Sequence, residues 1–109
     1  MTAFAARGTA LLLLLLLGSA APAAELPTVS QRNKRFDTAA LDLPGPGTVR
    51  FANDDTVRHN VALRTPSGEE QTGVVQAPGD VTPIRFDQSG RYEVFCLIHP
   101  QMHMTVSVP

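Results

Sequence analysis

The chain has 109 residues, a formal net charge of −1, one cysteine and no tryptophan. That is one domain's worth of chain, with no second cysteine to close an internal disulfide. From Glu25 onward, eight Lys and Arg face ten Asp and Glu with the two signs interspersed. A nucleic-acid binder needs a basic stripe to displace condensed counterions, so no nucleic-acid partner is expected.

The N-terminal segment carries Arg7, an apolar run from Leu11 to Leu17 and the small residues Ala20, Ala21, Ala23 and Ala24. Basic start, short apolar centre and small-residue cleavage zone are the pattern of a secretory signal peptide over residues 1–24. Seven leucines fall well short of the roughly 20 apolar residues that span a bilayer, so no retained membrane anchor is expected. Residues 25–109 then form the folded domain, and a periplasmic location follows from export.

Short runs rich in Val, Thr and Phe alternate with turn signals along that domain, the punctuation of an all-β chain. Thr28 to Phe36 reads as the first strand. Its basic cluster, Arg32, Lys34 and Arg35, reads as a solvated edge that discourages pairing with other chains. Phe36, Ala39, Ala40 and Leu43 recur at helical spacing, yet Leu41 and Leu43 alternate and Pro44 follows at once. A bend leading into a short strand, Leu41 to Leu43, is the expectation. Further strands are expected at Thr48 to Asn53, His59 to Arg64, Val81 to Phe86, Arg91 to Cys96 and Met104 to Val108. Their even spacing predicts a Greek-key β-sandwich or barrel of about seven or eight strands.

The last two strands are joined by Cys96-Leu97-Ile98-His99-Pro100-Gln101-Met102. Within seven residues this loop offers a thiolate, an imidazole and a thioether. Thiolate and thioether are soft donors that suit copper, and two His, one Cys and a weak axial Met define a blue copper centre. His59 supplies the second imidazole from a separate strand. Taken singly, Cys96 reads as a small buried hydrophobe, Met102 as a core plug and either histidine as a hydrogen-bonded surface residue. Their conjunction around the only cysteine of an exported chain favours a metal. Zinc is the competing ion. It would recruit Cys96, His59, His99 and His103 and leave Met102 idle.

The segments Gly47-Thr48-Val49-Arg50-Phe51-Ala52-Asn53, His59-Asn60-Val61, Gly90-Arg91-Tyr92 and Cys96 to Met102 together resemble the cupredoxins, the small type 1 blue copper proteins. The short final loop is most similar to amicyanin, ahead of pseudoazurin and plastocyanin. The resemblance implies one copper per chain, with His59, Cys96 and His99 as equatorial ligands and Met102 as the axial one. It also implies single-electron transport by Cu(I)/Cu(II) cycling, with a redox partner such as a c-type cytochrome or a dehydrogenase. A mononuclear site with all its positions filled and no second His cluster gives no expectation of an enzyme, and a monomer is expected. The alternative is a periplasmic copper-handling protein, a carrier or resistance factor in which His103 and Met104 pass the ion on. Family members usually follow the Cys with Ser or Thr, whose hydroxyl steadies the Asn after the first His. Leu97 stands there in this chain, so Asn60 needs a backbone partner instead. Ile98, where amicyanin has proline, keeps an N–H that could reach the Cys96 sulfur. Met104 is expected in the core and His103 in solvent.

Overall fold

The structure is a computed structural model that describes residues 25–109. The expected signal peptide lies outside the described residues. All regular structure among them is strand: β1 (Thr28–Arg32), β2 (Arg35–Phe36), β3 (Ala40–Asp42), β4 (Gly47–Asn53), β5 (His59–Asn60), β6 (Ala62–Arg64), β7 (Glu70–Gln71), β8 (Val75–Gln76), β9 (Val81–Phe86), β10 (Gly90–Phe95) and β11 (His103–Val108).

Two sheets make a β-sandwich, in the orders β2-β1-β4-β9 and β3-β11-β10-β6-β7, and β5 pairs with β8 as a small separate ribbon. Most pairings are antiparallel, but β1 runs parallel to β4, and β3 parallel to β11. Neither sheet closes into a barrel. Edge strand β9 carries Pro83 opposite Arg50 of β4, a placement that sheets tolerate at their margins.

The period of two decides what lies between the sheets. Val49 and Phe51 of β4, Tyr92 and Val94 of β10, and Met104, Val106 and Val108 of β11 point inward and are buried together. Phe51 and Phe86 of one sheet have ring centroids 6.3 Å apart, and Phe86 bridges the layers, edge-on to Tyr92 of the other sheet at 4.9 Å. The Tyr92 hydroxyl accepts from the N–H groups of Asp87 and Gln88, at 3.1 and 2.8 Å, which secures the β9–β10 turn to the core. Cys96 keeps the inward parity of Tyr92 and Val94, so its thiol lies at the end of the core rather than in solvent.

The expected first strand is in fact a hairpin. Asn33 and Lys34 both have positive φ, 53° and 56°, and turn β1 back on β2. Such a turn matches the twist of the strands it joins. Likewise His59 to Arg64 is two strands: Val61 interrupts it, β5 joins β8, and β6 joins β10. With the two-residue strands β7 and β8, these breaks raise the number of segments to eleven.

Candidate metal centre

Three side chains from two regions converge at one end of the sandwich. His59 stands on β5, Cys96 directly follows β10, and His99 lies in the loop before β11. Their ligand atoms all lie within 4.8 Å of one another. His59 Nδ1 is 3.1 Å from His99 Nδ1 and 3.9 Å from Cys96 Sγ. Two ring nitrogens that close can share one ion at metal–nitrogen distances of about 2 Å. His59 and Cys96 are fully buried, whereas His99 is half-buried, so one imidazole edge reaches the surface.

The loop is tied by its own backbone. Met102 N–H donates to His99 O at 2.9 Å, and Cys96 N–H donates to Met102 O at 3.3 Å. Met102 is 1% exposed yet lies outside the apolar cluster that contains Met104. Met102 precedes β11, in the loop, whereas Met104 is on the strand. His103 turns outward to pair with Glu93, and the His59, Cys96 and His99 cluster forms without it.

Asn60 locks the two ligand regions together. Its backbone N–H donates to Cys96 Sγ at 3.4 Å, and its Oδ1 accepts the Leu97 N–H at 2.7 Å. Its Nδ2 donates to Thr72 O at 2.6 Å. Backbone groups thus do the work that a hydroxyl after the cysteine would have done. A backbone hydrogen bond to the sulfur thus comes from Asn60, while Ile98 is 45% exposed.

Sequence reasoning missed Asp55. Its Oδ2 lies 2.8 Å from His59 Nε2 and accepts the Lys34 N–H at 2.8 Å, while Oδ1 accepts the Thr56 N–H at 2.8 Å. The Lys34 hydrogen bond, followed by that of His59, lowers the Asp55 carboxyl from 3.8 to about 2. Burial, and then the neighbouring His59, pushes the His99 imidazole below its ordinary value. A neutral imidazole with a free lone pair is the form a metal requires. The spacing Asp55 to His59 was readable, but the N–H that fixes the carboxylate comes from a hairpin 21 residues away.

The family described as copper binding proteins, plastocyanin/azurin family, matches residues 24–109. The chain belongs to this family, the cupredoxins. Among solved structures, this cupredoxin is similar to amicyanin from Paracoccus versutus (Thiobacillus versutus), with 25% identity over 80% of this chain and 84% of that one, at a TM-score of 0.72. A purple cupredoxin from Nitrosopumilus maritimus shares the fold at 22% identity, over 76% of this chain and 99% of that one, with a TM-score of 0.66. No curated protein matches the chain. Copper rather than zinc is the cofactor of the cupredoxin family, and the His59, Cys96 and His99 cluster is compatible with a single type 1 ion.

Proposed function

We propose that this cupredoxin is an exported one-electron carrier, made with a signal peptide over residues 1–24 and working in the periplasm as the domain 25–109. His59, Cys96 and His99 would hold the copper equatorially and Met102 axially. The observation that carries the reading is the convergence of two Nδ1 atoms and one thiol within 4.8 Å at a buried sandwich end. Bound copper supplies a Cu(I)/Cu(II) couple that takes up and returns one electron. The chain supplies the fixed frame: β5 and the end of β10 root two donors, and Asn60 bonds one ligand region to the other. Buried donors held by backbone N–H groups favour retention of the ion over its hand-off, which sets electron transport ahead of copper delivery.

His99 is the half-buried donor, and Leu97, Ile98 and Pro100 beside it are exposed, Leu97 by 54%. Apolar residues in an exposed loop mark a surface that a partner covers. That partner is a redox protein such as a c-type cytochrome or a dehydrogenase, met by a monomer. Pro100→Glu is expected to slow electron exchange with it while leaving the visible spectrum unchanged. An unaffected rate would remove this surface from the mechanism.

The defining experiment is the visible spectrum of copper-loaded protein in air. One copper per chain and an intense blue thiolate-to-copper band are expected. Cys96→Ser is expected to abolish the band. Met102→Leu is expected to keep it and raise the reduction potential, because a lost weak donor favours Cu(I). A potential that moves with Met104→Leu instead would overturn the axial assignment. Export is read from the mass of the secreted chain, which is expected to lack residues 1–24.

A further inference from the structure

The β1–β2 hairpin is far from the Cys96 to Met102 loop in sequence, yet it is linked to the site through the carboxylate of Asp55. Asp55 sits four residues before His59, in the loop after β4. Its oxygens are fully engaged: Lys34 N–H from the hairpin turn, its neighbour Thr56 N–H, and the His59 ring. Asn53 shapes that loop from below. Its Oδ1 accepts the Asp55 N–H at 3.1 Å, and its Nδ2 donates to Val57 O at 3.0 Å. A second aspartate, Asp54, ties the same loop to β1 by accepting from the Ser30 hydroxyl at 2.5 Å.

We infer that Asp55 is a positioning residue for the copper site: held by the hairpin, it fixes the His59 ring in the Nε2–H tautomer and places a negative charge behind that ligand. The inference rests on the copper reading above but is carried by different atoms. Both Asp55 oxygens already accept backbone N–H groups, so the proton between Asp55 Oδ2 and His59 Nε2 is assigned to His59. With Nε2 protonated, Nδ1 carries the free lone pair, and Nδ1 is the atom that faces Cys96 Sγ and His99 Nδ1. The hydrogen-bond network thus assigns the His59 tautomer.

The electrostatic consequence has a sign. A carboxylate bonded to the far nitrogen makes the imidazole a stronger donor, which favours Cu(II) over Cu(I). Asp55 therefore holds the potential down, opposite in direction to the Asn60 N–H on the sulfur, which draws electron density from the thiolate.

The test uses the full domain with Asp55→Asn and Asp55→Leu. Ring ¹⁵N shifts of the metal-free wild type are expected to show His59 protonated at Nε2, and Asp55→Leu is expected to lose that preference. Copper(II) affinity of Asp55→Leu is expected to fall about 10- to 100-fold, the usual cost of removing a partner behind a ligand. Asp55→Asn, close in shape, is expected to keep the blue band and shift the potential upward, and it serves alone if the leucine variant does not fold. A wild-type ring protonated at Nδ1, or a potential unmoved in Asp55→Asn, overturns the assignment. A wild type that takes up no copper would sink the functional reading instead, and the ring nitrogens would still decide the role of Asp55.

Discussion

Gly73→Ala is expected to destabilise the domain by about 2–5 kcal/mol, combining the cost of a left-handed residue with that of overpacking. Gly73 has φ +71°, and a β-carbon there would lie 2.0 Å from Val61 O and 2.9 Å from Val61 C. Both are backbone atoms, so no side chain can swing aside. The chain itself must move. Val61 directly follows Asn60, and Thr72 O, next to Gly73, accepts the Asn60 side-chain amide. The strain is thus delivered to the residue that clamps the ligand regions. Urea unfolding of the metal-free protein is expected to show a lower midpoint with an unchanged slope. A midpoint equal to wild type would mean that Gly73 does not pack on Val61.

Gln76→Ala is expected to cost a similar amount by a different route. Its side chain is 1% exposed and holds three other strands from β8. Nε2 donates to Phe51 O of β4 and to Thr82 Oγ1 of β9, both at 2.9 Å, and Oε1 accepts Gln31 Nε2 of β1 at 2.5 Å. Gln31 is itself buried, and its Oε1 has no protein partner. Removing Gln76 leaves that amide with neither end satisfied, at about 1–3 kcal/mol for each stranded group. The double variant Gln31→Leu with Gln76→Leu is expected to lose less than the sum of the two single changes, since two apolar groups replace two mutually dependent amides. Additive losses in a double-mutant cycle would show that the amides are not coupled.

What could be read in the sequence and what could not divides along the range of the interactions. The convergence of Cys96 and His99 was legible because one loop of seven residues holds both donors, a combination of unusual chemistry. The sandwich was legible because inward positions alternate along β4, β10 and β11. Asn33 is a residue that tolerates left-handed backbone, but Lys34 has no such preference, so the hairpin it completes left little trace. The break at Val61 is tertiary in origin, because β5 and β6 are claimed by different partners. Strands β7 and β8 have two residues each, too short to show any period. The Asn60 N–H that donates to the Cys96 sulfur lies 36 residues away in sequence, and that distance concealed it.

Pro83 has a consequence for how copies of this protein meet. Strand β9 closes one side of its sheet, and among the described residues its six residues have no strand neighbour on their outer flank. A bare strand of that length invites another molecule to zip onto it. Proline in its third position supplies no N–H for such a ladder, and Arg85 two residues on is exposed and charged. A one-electron carrier of the kind proposed works by brief collisions repeated many times. A flank that cannot be extended lets those encounters end without adhesion, leaving the apolar His99 end free for the partner.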